Sequence, residues 1–328
     1  MNKDFIKLIL RRLATSLIVL FLMITFLFIL LRISPGDPAQ KFISPELSTE
    51  LADKVRESFN LNSSIFDQYK SFLFNLLKGD LGISYNYREP VFKVIMQYLP
   101  FTIIFSLISF FIQIGLGGSL ALLAVKKINK PFDRMATRFN LFLYALPSFV
   151  VGVFLIIIFS EVLNILPSSG LRSFDFDSFS GLGKLKDYIL HLILPVITLS
   201  LGGIAVFFRY LRDSLEETMN KPFVLNLKAN GFDERAITFR HIIPNAVGPL
   251  IAVAGVELGM LLGGALITEV IFSLPGMGRL AVNAILQRDY PLITGCTLTA
   301  GILVILSNLT ADIIRAKIDK RLVKGILN

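Results

Sequence analysis

The stretch PFVLNLKANGFDERAITFRHIIPN, residues Pro222–Asn245, decides how this chain is organised, because it separates two long apolar runs. Pro222 suits the first turn of a helix, where its missing N–H would have no partner in any case. Gly231 suits the left-handed position just past a helix end, and Asp233 is a typical N-cap for the residues that follow. The stretch therefore predicts a short helix, a glycine break and a second short helix.

The first of these short helices carries an unusual surface for a loop. Its apolar side chains, which lie beside Lys228, are Phe223, Val224, Leu225 and Leu227. A helix of about nine residues is marginal in water by itself, so a partner protein that covers these side chains would account for them. The alternative is an ordinary amphipathic loop helix.

Composition places the chain in a membrane. Of its 328 residues, 54% are hydrophobic and 17% are charged, and the mean hydropathy is +0.68. A water-soluble domain of this size does not need so much apolar surface. The net charge of +9 does not indicate nucleic acid as a partner, because the cations cluster at the ends of apolar runs, which is the pattern of membrane topology.

Enzyme chemistry is not indicated. The single cysteine, Cys296, lies in an apolar segment, which excludes an intramolecular disulfide and argues against a cysteine-based metal site. The chain has no G-x-x-x-x-G-K-[ST] phosphate loop, so it does not hydrolyse ATP by that chemistry. We therefore expect no catalytic residues, no metal and no cofactor, and an energy source in another subunit or in an ion gradient.

Six segments are long and apolar enough to cross a bilayer, which takes about 20 residues in a helix. These spans are Leu13–Leu31, Phe101–Val125, Phe139–Ser160, Tyr188–Phe208, Ala246–Phe272 and Pro291–Ala311. Cations precede the first span as they would in a signal peptide, but its apolar core is too long and no small-residue cleavage site follows. We interpret it as an uncleaved anchor.

The distribution of cations sets the expected orientation. The N-terminal tail, the loop Lys126–Arg138 and the C-terminal tail are rich in Lys and Arg, whereas Ser34–Pro100 and Glu161–Asp187 are close to neutral. Positive residues favour the cytoplasmic side. Both termini and the 209–245 loop are therefore expected in the cytoplasm, which agrees with an even number of spans.

The long outer segment is expected to carry helices of its own. Apolar residues recur at helical spacing over Ile65–Leu77 and stop at Gly79. A preceding helix is predicted from about Ser48 to Phe59, and Pro90 opens a third helix that runs toward the second span. The segment is interpreted as a small helical cap on the outer face.

The stretch Pro222–Asn245 resembles the EAA loop of permease subunits in binding-protein-dependent ABC importers. Pro244, in the sequence HIIP, follows Gly231 by thirteen residues, and KANG at 228–231 resembles the Arg-Ala-Lys-Gly of the peptide-importer branch. The Glu-Ala-Ala positions hold LNL, at 225–227. In that family the short helix is the coupling helix, which sits in a groove of the ATPase. The resemblance implies the following coupling residues: Phe223, Leu225, Leu227, Lys228, Ala229, Gly231 and Pro244.

Further motifs resemble the peptide and nickel permease family, and in particular the first of two paired permeases in oligopeptide or dipeptide importers. In chain order they are RISPGDP at 32–38, GDLG at 79–82, ALPSF at 145–149, LPSSG at 166–170, IFSLPGMG at 271–278 and QRDYP at 287–291. The resemblance covers nearly the whole chain.

The resemblance implies an all-α polytopic protein with six transmembrane helices and the type I ABC importer fold. Residues 1–32 would form the cytoplasmic tail and first span, 33–97 an extracytoplasmic helical segment, 98–316 the five-helix core with a coupling loop at 213–245, and 317–328 a cytoplasmic tail. The expected partners are a second homologous permease, ATP-binding subunits, an extracytoplasmic binding protein, a peptide substrate and the lipid bilayer of the inner membrane.

Other functions stay open at this point. A nickel or other small-solute importer would share the same motifs. An ion-coupled secondary transporter would favour internal repeats with broken helices in matching positions, which the two halves do not display. A structural membrane protein would not need a cytoplasmic docking helix.

Two carboxylates lie within the predicted fifth span, where an ionised acid costs about 2.5–3.5 kcal/mol at mid-span. Glu257 is a candidate for the translocation path and Glu269 for its outer gate, while Pro147 is a candidate for a kink in the third span. The alternative is that each acid satisfies a backbone N–H or a partner helix. Gly255, Gly259 and Gly263 follow at four-residue spacing, which suits close helix packing within the chain or with another subunit.

Overall fold

The computed structural model describes residues 3–33 and 64–318, and their regular structure is helical apart from an isolated bridge between Ile83 and Pro90. The helices are α1 Lys3–Ile33, α2 Ile65–Leu77, α3 Val91–Val125, α4 Pro131–Ala145, α5 Ser148–Leu155, α6 Gly181–Met219, α7 Pro222–Ala229, α8 Glu234–Ile237, α9 Ile243–Leu262, α10 Leu266–Ile271, α11 Met277–Leu286 and α12 Tyr290–Ile318. The all-α class predicted from the sequence is confirmed.

Five of the described helical segments are long and apolar enough to cross a membrane, and a sixth is obtained if α4 and α5 form one bent span. A helix is the form expected in lipid, because it satisfies its own backbone polar groups. The 39 residues of α6 extend about 58 Å, well beyond the roughly 30 Å of a hydrocarbon core. Helix α6 therefore carries the chain out of the bilayer toward α7.

The bundle is built on the long contact between α3 and α6, with α9 packed on α6 and on α12. Aromatic side chains of α6, including Phe207 and Phe208, are buried in this contact. Helix α1 lies at the edge against α12, and most of its middle is exposed. The glycines of α9 pack within the chain, since a Cβ at Gly255 would lie 2.4 Å from the Cβ of Ala311 in α12.

The kink expected in the predicted third span, Phe139–Ser160, is confirmed at Pro147. Helices α4 and α5 meet at an angle of 95°, with Pro147 at the corner. The residue before a proline is pushed out of the helical region, and Leu146 is extended, with φ −78° and ψ 126°. A π-helical turn, Ile156–Val162, then continues α5.

The predicted fifth span is also interrupted. Helix α9 ends at Leu262, Gly264 has φ +121°, and α10 resumes at Leu266. At the other end of the span, the expected second short helix is not separate. Helix α8 continues through a π-helical turn, Thr238–Ile242, into α9, where Pro244 occupies the first turn.

Two of the helices expected in the outer segment are confirmed. Helix α2 covers Ile65–Leu77 and is followed by Gly79 at φ +77°. Helix α3 begins directly after Pro90 and runs into the second span without a break, so the boundary at residues 97 and 98 lies inside a helix. The helix predicted for Ser48–Phe59 lies outside the described residues.

Candidate functional site

The predicted coupling loop is folded by the local signals that its sequence contains. Pro222 begins α7, and Gly231 follows its end at φ +75°. The N–H of Gly231 donates to the carbonyl of Lys228 (3.0 Å), and the N–H of Phe232 donates to that of Leu227 (3.2 Å). These two bonds form a Schellman motif, which closes the helix and requires the left-handed residue. The predicted N-cap is confirmed as well, because the Asp233 carboxylate accepts from the Ala236 N–H (3.1 Å).

The two faces of α7 have different environments. Val224 is fully buried, and Phe223 and Leu227 are half-buried against the apolar cluster that joins α3, α6 and α9. Leu225 is 60% exposed, and Lys228 is exposed beside it. Leu227 offers a partner less surface than Leu225 because it packs against the chain's own cluster, and its place in the docking face stays a prediction.

Other apolar side chains of this loop are exposed as well. Phe232, just after the glycine, is 51% exposed, and Phe239 in the π-helical turn is 62% exposed. Sequence reasoning missed both residues, because it read only the apolar side chains of the first short helix. We refer to the exposed residues Leu225, Phe232, Phe239, Lys228 and Ala229 together as the outer face of the coupling loop.

A buried ion pair ties the start of α4 to the end of α6. The Arg212 guanidinium donates to both carboxylate oxygens of Asp133, at 2.7 and 2.8 Å, and also to Glu216 at 2.8 Å. Asp133 is 2% exposed and accepts a further hydrogen bond from the Asn129 N–H (2.9 Å). Such a bidentate pair fixes orientation as well as distance. Helix α4 is thereby attached to the helix that leads into α7.

Glu269 is completely buried and caps another helix. Its carboxylate accepts from the N–H groups of Gly278 (2.7 Å) and Arg279 (3.1 Å) at the start of α11, and from the Thr102 hydroxyl (3.0 Å). The Thr102 oxygen in turn accepts from the Met277 N–H (2.8 Å). A carboxylate is stabilised there by the helix dipole and by direct hydrogen bonds. This favours the backbone-capping alternative for Glu269 over a gate residue.

This cap accounts for the glycines in the motif IFSLPGMG. A Cβ at Gly276 would lie 2.2 Å from the Glu269 carboxyl carbon, and a Cβ at Gly278 would lie 2.5 Å from the Leu266 Cα. Both positions therefore leave room for α10 and its carboxylate to reach the first turn of α11.

Glu257 differs from Glu269. It is half-buried on α9 and makes no hydrogen bond or ion pair with another described residue. No partner within residues 3–33 and 64–318 thus offsets the cost of a carboxyl group in a membrane helix. The path-lining interpretation of Glu257 remains a prediction. Pro147 is exposed at the corner between α4 and α5.

A third buried carboxylate, Asp289, joins the segment before α3 to the start of α12. It is fully buried and accepts from the Ser84 hydroxyl (2.5 Å) and from the Asn86 backbone and side-chain N–H groups (both 3.1 Å), while its other oxygen caps α12 through the Leu292 N–H (3.2 Å). Burial and the Asp289 charge raise the pKa of Tyr85 to about 12, so its phenol is neutral. The segment that directly follows GDLG thus contacts the aspartate of QRDYP.

Comparisons with known proteins agree with this arrangement. Residues 113–324 match the family described as binding-protein-dependent transport system inner membrane component, and residues 5–108 match its N-terminal family. A probable peptide ABC transporter permease protein of Sinorhizobium fredii, y4tP, is 33% identical, over 96% of this chain and 98% of its own length.

Two further relatives and a solved structure extend the comparison. The oligopeptide transport system permease AppB of Bacillus subtilis is 31% identical over 96% of this chain and 98% of its own, and the nickel import system permease NikB of Staphylococcus aureus is 31% identical over 96% and 92%. A chain of the inward-facing MetNI methionine ABC transporter has the same fold, with a TM-score of 0.54 at 15% identity, over 70% of this chain and 97% of its own. The chain therefore belongs to the inner membrane components of binding-protein-dependent transport systems, within the peptide and nickel permeases, and is a permease subunit of an ABC importer.

Proposed function

We propose that this subunit imports peptides. It would pair with a second, homologous permease, receive peptides from an extracytoplasmic binding protein, and use ATP that separate subunits hydrolyse. The subunit would lie in the inner membrane, with both of its termini in the cytoplasm. The names of y4tP and AppB support peptides as the substrate class.

The observation that carries the coupling role is the two-sided burial of α7. Val224 is fully buried in the cluster that also holds Leu215 of α6 and Ala246 of α9, while Leu225 points outward. A close-packed interior transmits displacement instead of absorbing it. A push on the outer face by an ATPase would therefore move the ends of α6 and α9 together.

The same packing suggests how the membrane part would respond. Helix α4 would follow α6, because Arg212 holds Asp133. The corner at Pro147 and the break at Gly264 would serve as hinges between blocks that stay rigid. Glu257, on the block formed by α9, is our candidate for contact with the passing peptide.

Nickel is the second candidate substrate, because NikB is similar over nearly its whole length. A strain that lacks endogenous peptide and nickel importers, supplied with this subunit and its partner genes, would be tested with a radiolabelled tripeptide and with radioactive nickel. Uptake of the peptide, abolished by an inactive ATPase partner, is the expected result. Uptake of nickel without peptide would overturn the peptide proposal and favour the second candidate.

A further inference from the structure

A cleft of about 440 Å³ lies between α1, α9 and α12, near the end of the bundle where α1 begins and α12 finishes. Its walls away from that end are apolar and include Val19, Val256 and Val304. Val19 is 60% exposed on α1, and Val256 is 46% exposed on α9. This part of the cleft therefore presents hydrocarbon to whatever surrounds the bundle.

The end of the cleft nearer the termini is basic. Arg12 of α1 pairs with Asp312 of α12, with 3.1 Å between Nε and Oδ2. Arg315 is one turn further along α12, and its Nε is buried with no hydrogen-bond partner among the residues that the structure describes. The cleft is thus lined by two guanidinium groups, those of Arg12 and Arg315, and by one carboxylate, that of Asp312.

These features describe a ligand with two chemical parts. A buried N–H donor without an acceptor is costly, and a guanidinium group matches the oxygens of a phosphate. The apolar walls require a hydrocarbon segment attached to that anion. Basic pockets between transmembrane helices on the cytoplasmic side are suited to anionic lipid headgroups.

We propose that this cleft binds an anionic phospholipid of the cytoplasmic leaflet. The phosphate lies between Arg12 and Arg315, and an acyl chain follows Val19, Val256 and Val304. The lipid holds α1 against α9 and α12, which matters because α1 packs mainly on α12. The assignment to the cytoplasmic leaflet rests on the proposed function, which places both termini in the cytoplasm.

The test uses the purified transporter complex in mild detergent and measures retained lipid by native mass spectrometry. Phosphatidylglycerol, phosphatidylcholine and inorganic phosphate are added separately. We expect the wild-type complex to retain phosphatidylglycerol, to retain much less phosphatidylcholine, and to keep its lipid in the presence of inorganic phosphate.

Variants assign the binding to the cleft. Arg315→Gln should bind phosphatidylglycerol about fivefold more weakly, the effect expected of one cation near the surface, and Arg315→Lys should bind close to the wild type. Lys317→Gln is the matched control, because Lys317 is exposed two residues further along α12 and does not line the cleft. Val256→Phe leaves the charges unchanged but fills the apolar wall, so it should also lower retention.

The proposal would be overturned by equal retention of the two lipids or by release of lipid by inorganic phosphate. Unchanged binding by both Arg315→Gln and Val256→Phe would also overturn it. Absence of lipid from the wild-type complex, as expected if a helix of the second permease fills the cleft, would also overturn it. Lipid retention is measured without transport, so failure of peptide uptake would leave this result unaffected.

Discussion

Leu225→Asp is the substitution that tests the coupling loop most directly. Leu225 is 60% exposed on α7, and complete burial of a leucine side chain is worth about 1.5–3 kcal/mol. Burial of this exposed surface in an ATPase groove would therefore stabilise the complex by about 1–2 kcal/mol. Replacement by Asp removes this gain and adds the cost of desolvating a carboxylate, so ATPase association should weaken at least about tenfold.

The neighbouring positions supply matched controls. Asn226→Asp adds the same charge at an exposed position of the same helix and should have a much smaller effect. Lys228→Ala should cost under about 1 kcal/mol, as is usual for a solvent-exposed charge. Leu227→Asp should instead lower the stability of the permease itself, because Leu227 packs against the cluster around Val224.

The assay combines three measurements on each variant: pull-down of the ATPase, the thermal midpoint of the isolated permease, and ATP-driven uptake. For Leu225→Asp we expect an unchanged midpoint, weak pull-down and little uptake. Normal pull-down and uptake by this variant would remove the outer face of the coupling loop from the mechanism.

Three further predictions concern the loop, the topology and the path. Gly231→Val should uncouple ATP hydrolysis from uptake, because a β-branched residue at φ +75° costs roughly 1–2 kcal/mol or more; hydrolysis and uptake that stay coupled would contradict this. Ser178→Cys should react with an impermeant maleimide in intact cells and Lys127→Cys should not, while the native Cys296, 3% exposed, gives little background; the reverse labelling would invert the orientation. Glu257→Gln should alter peptide uptake with normal assembly, and loss of assembly would instead assign the residue a structural role.

The parts of the fold that the sequence predicted correctly depend on residues within one helical turn of each other. The left-handed Gly231, the Asp233 cap and the end of α2 at Gly79 are set by such local contacts. The break in the fifth span near Gly264 was missed because hydropathy averaged over about 20 residues does not register backbone direction. Pro147 predicted a kink, but the 95° corner also depends on how α4 and α5 each pack against α6.

The buried carboxylates contact side chains that are far away in the sequence. Asp133, Glu269 and Asp289 are held by side chains 79, 167 and 205 residues away in sequence. Asp133 and Asp289 lie in or just before the first turn of a helix, so the sequence could have indicated them as caps. Glu269 caps α11 from a separate helix, and no local pattern indicates that contact.

Glu269 was considered for the path because an acid in a membrane helix is costly and usually functional. The backbone alternative meets this cost, since the N-terminus of α11 supplies two N–H donors inside the bundle. The same cost still applies to Glu257, which has no donor among the described residues. The acid that the chain itself satisfies is therefore the weaker candidate for contact with substrate, and the acid that it leaves unsatisfied is the stronger one.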